Sequence, residues 1–558
     1  MPANVRPADP SMHPANQTYL NEAAALVRGG KPSQAAKLLR DLLSRHPDDA
    51  SALHLLGEIA VSQGHDAPAL QLLTRSLEAS PGLLAARASR AHVLLRTGEP
   101  SAALEDIEIL LAQAPRNPNF RSLKARALEA VEDYPASVEI WRALTEEYPG
   151  TAGGWLRYGD ALRLLGRRED CIAAYRRAVA IDPSSGPAWW SLADLKTFRF
   201  EDADVAVMQA QLARRDLPGP DRVRLHFALG KADADRALYE ASFFHYAQGN
   251  ALHRATIRHD PAVLSSYVAN CKQVFTPEFF ARRAGYGVPS RAPIFVVGMM
   301  RAGSTLVEQI LATHTQIEGT RELSDLAAVS RQIQVDAATE GIPYWQALER
   351  LDADAAASMG ARYLAAVEPH RKLGRPFFLD KMGANFTQIG LIQLLLPQAR
   401  IVDVRRHPMA CGLSIFSQLF PHGQNDAYKL EDIGRLYRDY VELTAHFDAV
   451  LPGRVHRVFY EDLVAQPERE IRRLLDYLGV PFEARCLEFH RTERVVATVS
   501  AEQVRRPIYK DALEQWRHFE PWLGPLADAL GPVLAAYPAV PDPCAELQAA
   551  RSRIGIDL

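Results

Sequence analysis

The chain has 558 residues, 47% of them hydrophobic and 23% charged, with a formal net charge of −3 and a pI near 6.6. A chain of this length is expected to divide into two to four folded units. Its composition is that of a globular protein, and the balanced charge argues against a nucleic-acid partner. No stretch approaches the roughly 18 consecutive apolar residues of a membrane span. The N-terminal MPANVRPADPSMHPANQ has no apolar centre of the kind a signal peptide needs. Five scattered cysteines (Cys171, Cys271, Cys411, Cys486, Cys544) form no C-x-x-C pair. Together these give a reducing, cytoplasmic location as the expectation.

The first half is periodic. Pro47, Pro81, Pro115, Pro149 and Pro183 recur every 34 residues, and Gly30, Gly64, Gly98 and Gly166 keep the same step with Glu132 in the remaining slot. Small residues (Gly57, Ala91, Ala125, Gly159, Ala193) share the register. A small residue lets paired helices approach, a glycine supplies a left-handed turn after the first helix, and a proline ends the second. A helical period of 34 is the tetratricopeptide signature. The spacing predicts five repeats, a degenerate helical pair over 220–255, and a solenoid over 14–255 whose groove holds an acceptor peptide or a partner protein.

After a helical linker at 256–292 the pattern changes. Short apolar runs at 293–297, 376–380, 400–404 and 454–460 read as buried parallel strands. Helices are expected after the first strand and at 323–334, 344–366, 387–396, 408–420 and 433–450. Alternating strands and helices predict a parallel sheet covered on both faces. The whole is therefore α plus α/β: an all-α solenoid, a P-loop-like α/β domain over 293–535, and a tail at 536–558.

The segment GMMRAGST (298–305) fills the end of the first strand, where such sheets bind ligands. It matches G-x-x-x-x-G-K-[ST] except that Ser304 replaces the lysine. A loop at a helix N-terminus still cradles a phosphate, with Arg301 the nearest cation. Further on, VRRHPMACGLS sets Arg406 eight residues before Ser414, and VFYEDL puts Tyr460 at a strand end. An arginine and a hydroxyl there would clamp a second phosphate, and the ring would border a base.

These segments resemble the sulfotransferase family, most nearly its tyrosylprotein branch, supported by LDKMGANF, VFYEDLV and SAEQVRRPIYKDALEQW. Bacterial proteins that join tetratricopeptide repeats to such a domain are similar over the whole chain. The resemblance implies 3′-phosphoadenosine 5′-phosphosulfate (PAPS) as donor, no metal, and a hydroxyl acceptor, protein tyrosine among the candidates. Arg301, Ala302, Gly303, Ser304 and Thr305 would hold the 5′-phosphosulfate, Arg406 and Ser414 the 3′-phosphate, with Tyr460 and Ser500 as further donor contacts. Ala302 stands where the family often has serine, leaving backbone donors to serve. Arg405 competes with Arg406, which keeps the eight-residue spacing. Glu322, 21 residues after Arg301, would be the general base, with Glu318 as the alternative and His314 read as structural. Lys381 would meet the sulfuryl group and leaving oxygen. Gln515 replaces a late family lysine, with Arg506 or Lys510 as substitutes. Two other readings stand beside this one: a repeat-bearing adaptor with an inactive nucleotide-binding domain, and a P-loop kinase.

Overall fold

The computed structural model describes residues 14–421, 423–492, 503–508 and 513–539. Two compact units meet in the chain at Asp182 and Pro183.

The first unit is five helix pairs: α1 (Pro14–Arg28) with α2 (Pro32–Arg45), α3 (Ala50–Ser62) with α4 (Asp66–Ala79), α5 (Leu84–Thr97) with α6 (Pro100–Gln113), α7 (Pro118–Ala130) with α8 (Tyr134–Glu147), and α9 (Ala152–Leu164) with α10 (Arg168–Ile181). Gly30, Gly64, Gly98 and Gly166 turn the chain in the left-handed region, φ 70°, 77°, 85° and 70°. Glu132 takes the same conformation at φ 66° without being a glycine. The backbone thus keeps the period where the sequence drops it.

The second unit opens with helices α11 (Gly186–Asp194), α12 (Asp202–Leu212), α13 (Gly219–Asp235), α14 (Tyr239–Arg254), α15 (Ala262–Val274) and α16 (Pro277–Arg282). This differs from the boundary expected at 255. Phe227 and Tyr246, from α13 and α14, belong to the same apolar core as Phe295 of the sheet. Buried Asn250 donates to the Phe416 carbonyl at 2.8 Å. The pair at 220–255 exists as helices, but its buried face belongs to the core of the sheet.

Five parallel strands follow: β1 (Pro293–Gly298), β2 (Ile317–Gly319), β3 (Phe377–Lys381), β4 (Arg400–Arg405) and β5 (Val455–Phe459), ordered β2-β3-β1-β4-β5. β1 pairs with β3 (Val296 opposite Lys381) and with β4 (Gly298 opposite Val404). Its residues alternate between two cores, Phe295 and Val297 on one face, Ile294 and Val296 on the other, as a strand covered on both sides requires.

The connecting helices are α17 (Ser304–Thr313), α18 (Asp325–Glu340), α19 (Tyr344–Arg350), α20 (Ala353–Val367), α21 (Ile389–Leu395), α22 (Pro408–Phe416), α23 (Leu430–Val450), α24 (Tyr460–Ala465) and α25 (Pro467–Leu478), then α26 (Gly524–Leu530) and α27 (Pro532–Ala536). The single helix expected over 344–366 is two, because the Asp352 carboxylate accepts the Ala355 N–H at 2.8 Å and caps a new start. β2 was not anticipated; three residues are too short for a periodic signal.

Candidate functional site

Strand β1 changes sides of the sheet's winding, with β3 and β2 on one flank and β4 and β5 on the other. A crevice opens at the carboxyl ends of strands at such a point. Gly298, Lys381, Arg406 and Tyr460 all stand there, each at or just past the end of a different strand.

The loop after β1 is shaped by backbone constraints. Arg301 holds φ 65° and Gly303 φ 104°. A Cβ on Gly303 would fall 2.5 Å from Tyr460 Cδ2, so only glycine lets the ring close over the loop. Gly303 caps α17, whose first N–H groups have no intrahelical acceptor and face the crevice with the positive end of the helix dipole. Ser304 and Thr305 form its first turn.

Two sequence-distant segments close on this loop. Arg301 Nε donates to Ser414 Oγ at 3.1 Å, and Arg406 Nη1 donates to the Arg301 carbonyl at 3.3 Å. The Arg406 guanidinium lies 5.0 Å above the Tyr460 ring. Tyr460 is thus engaged by a cation and by the glycine loop, where the sequence suggested a base-bordering ring. The position of Arg406 is braced by groups that no motif announced. Tyr437 donates to the Arg406 carbonyl at 2.7 Å, and the His407 N–H donates to Glu461 at 2.9 Å, which also accepts from Tyr537 at 2.6 Å. Glu461 directly follows Tyr460 in VFYEDL, so its signal was adjacent and unread. Burial lowers the pKa of His407, whose ring stacks on Trp516 at 5.1 Å.

Arg405 faces the other way. It is buried and bonded to Thr444 at 2.7 Å and Tyr440 at 3.3 Å, with Asp403 at 3.4 Å. Ala302 is also fully buried, and its N–H closes a turn on the Met299 carbonyl at 3.2 Å. Ala302 was expected to meet the donor; its side chain is packed below the loop and its N–H is engaged in the turn. Ser500 and Lys510 lie outside the described residues, whereas Arg506 and Gln515 line the cleft.

At the end of β3, Lys381 forms an ion pair with Glu322, and its ammonium lies 3.8 Å from Glu308 of α17. Lys381 is buried, while the Glu322 side chain is 50% exposed and so open to a second reactant. Glu318 is buried and bonded to Arg371 at 2.9 Å and to the Leu373 N–H at 2.8 Å. His314 is fully buried; Nδ1 accepts from the Gln316 N–H at 3.1 Å and Nε2 donates to the Pro481 carbonyl at 2.8 Å. Neither is available as a base. Beside Lys381, Asp380 is buried between Tyr363 and Asn385, and burial pushes its carboxyl up to about 7.

The cleft holds about 1060 Å³, lined on the loop side by Arg301, Ser304, Thr305, Arg406, Ser414 and Tyr460. Among the described residues no three acidic, histidine or cysteine side chains gather as a metal site, and no helix is long and apolar enough to cross a membrane.

Fold and site together give a parallel α/β domain whose loop after β1 carries Arg301 beside Arg406 at the strand ends, with Ser304 where a triphosphate-binding loop has lysine. Residues 293–484 match the model of the sulfotransferase family, and residues 20–83, 89–130 and 152–195 match tetratricopeptide repeat models. The chain carries a sulfotransferase-family domain preceded by tetratricopeptide repeats. It is 27% identical over 538 residues to an uncharacterized protein of Aquifex aeolicus, covering 93% of this chain and 70% of that one. It is 25% identical over 231 residues to a putative protein-tyrosine sulfotransferase of Caenorhabditis briggsae, covering 40% of this chain and 80% of that protein. Among solved structures, the sulfotransferase domain from the curacin biosynthetic pathway aligns with 20% identity and a TM-score of 0.31, over 49% of this chain and 99% of that one.

Proposed function

We propose that the protein transfers a sulfuryl group from PAPS to an acceptor hydroxyl, with protein tyrosine the leading acceptor, and that the repeats hold the acceptor or a partner protein. The observation that carries this reading is the Arg301–Ser414 contact with Arg406 behind it. It joins a 5′-phosphate loop to a second phosphate clamp 113 residues away in sequence. The putative tyrosine-sulfotransferase relative supports the acceptor. The four described cysteines are buried and none is in a disulfide, which suits a reducing, cytoplasmic compartment.

The donor fits these residues by charge and shape. The N-terminus of α17 and Arg301 would hold the 5′-phosphosulfate, and Arg406 with Ser414 the 3′-phosphate. The acceptor oxygen attacks sulfur in line. Its proton passes to Glu322 as the new S–O bond forms, and the bond to the leaving phosphate breaks. Lys381 turns from Glu322 to the sulfuryl oxygens and the bridging oxygen, where negative charge grows. A flexible ammonium can follow that charge. The product nucleotide, 3′-phosphoadenosine 5′-phosphate (PAP), then leaves. No metal is invoked.

Calorimetry with PAP and with ATP, both in EDTA, tests the donor. PAP binding and no ATP binding is expected, and ATP preference would refute the reading. Incubation with sulfur-labelled PAPS and tyrosine-containing peptides tests the acceptor.

A further inference from the structure

The cleft is also lined by residues ahead of β1. Lys196, Thr197, Arg199, Lys231, Asp235 and Tyr239 line it together with Ser414 and Ser417. Lys196 follows α11 directly and holds φ 63°, a left-handed conformation that costs a side-chain-bearing residue energy. Outliers of this kind persist where surrounding structure over-determines them, and they cluster at ligand clamps. What holds Lys196 is a buried polar group. Its ammonium donates to Gln418 Oε1 at 2.6 Å and lies 3.1 Å from Asp194, and Gln418 Nε2 donates to the same Asp194 at 3.1 Å. Gln418 is four residues beyond Ser414, about one helical turn in spacing.

Among the described residues, cations outnumber carboxylates in this part of the lining. Lys196, Arg199 and Lys231 face two carboxylates, Asp194 and Asp235, with Asp235 shared by Arg199 and Lys231. Burial, then the neighbouring Arg199 and Lys196, pull the Lys231 ammonium down to about 7. A partly desolvated cluster with surplus cations is relieved by an anion.

We propose that Lys196, carried by Gln418, is a second cationic wall for the donor's 3′-phosphate, facing Arg406 and Ser414 from a helical layer outside residues 293–484. The proposal rests on the donor reading above. It assigns donor discrimination in part to helices that precede the sulfotransferase-family segment, with Lys196 separating nucleotides that bear a 3′-phosphate from those that lack one.

The test is calorimetry on the full chain with PAP and with adenosine 5′-phosphosulfate, which carries the loop-binding group and no 3′-phosphate. Lys196→Gly is the informative variant, since glycine adopts φ 63° without strain, and a thermal melt alongside checks that the fold is kept. Its PAP affinity is expected to fall about tenfold with adenosine 5′-phosphosulfate affinity unchanged, while Lys196→Arg retains most of the PAP affinity. Unchanged PAP affinity in Lys196→Gly, or equal losses for both nucleotides, overturns the proposal. A wild-type protein that binds neither nucleotide removes the donor reading itself, and Lys196 with it.

Discussion

Glu322→Gln removes a base and keeps a shape, and the structure sets what else it should change. The Glu322–Lys381 ion pair has one buried end and one end 50% exposed. Solvent screens the exposed carboxylate, so the pair contributes no more than about 1 kcal/mol to stability. The amide that replaces the carboxylate can still accept a hydrogen bond from Lys381, so the loss in Tm should not exceed about 4 °C. PAP affinity should stay within a factor of about three, because neither Arg301 nor Arg406 touches Glu322. The chemical step is different. Without a carboxylate the acceptor proton has no recipient of suitable basicity, and kcat should fall ~10²–10⁴-fold. Scanning calorimetry, PAP titration and labelled-sulfate turnover on one preparation give all three numbers. Near-normal kcat with the fold intact would refute the assignment. Glu318 and His314 could not then be substituted for it, since both are buried with their polar atoms bonded elsewhere.

Gly303→Ala places a Cβ 2.5 Å from Tyr460 at φ 104°, costing roughly 1–2 kcal/mol in backbone terms alone, so PAP should bind at least tenfold more weakly by calorimetry. Glu132→Gly relieves a left-handed glutamate at φ 66° and should stabilise the repeats by up to about 1 kcal/mol in urea unfolding, with Glu132→Ala giving no such gain. Burial raises the Asp380 carboxyl to about 7, so its stabilising contribution is full below its unfolded pKa near 4 and is lost as pH rises through about 7. Between pH 5 and pH 8 the wild type should therefore lose more stability than Asp380→Asn, with an upper bound of about 3 kcal/mol. A chain beginning at Pro183 should bind PAP, whereas one beginning at Thr256 should not, because the latter lacks α13 and α14, which share the sheet's core.

The repeats were legible because their information is local: proline, glycine and small residue fall in one register. The placement of the candidate site was legible for the same reason, since Arg301, Arg406 and Lys381 each follow an apolar run and Ser414 lies in the helix after one. What escaped depends on tertiary context. The burial of Ala302 could not be read from a loop whose neighbouring Arg301, Gly303, Ser304 and Thr305 line the cleft. Arg405 and Arg406 are neighbours whose opposite directions follow from strand alternation at the end of β4. The boundary moved from 255 to 182 because amphipathic helices do not declare which core their apolar face joins. Tyr437 and Glu461 carry no motif, and their role exists only once α23 and α24 pack beside the Arg406 backbone.

Among the described residues, the side chains that make up the two cores around the sheet all follow Pro183. The repeats instead bury their apolar residues in small clusters of their own, each spanning neighbouring helices. In such an array each unit depends chiefly on the next. Duplication or excision of one whole 34-residue unit is then an in-frame change that leaves the phosphate loop, its arginines and the Glu322–Lys381 pair untouched. Repeat number is a quantity that evolution, or an engineer, can vary independently of the chemistry.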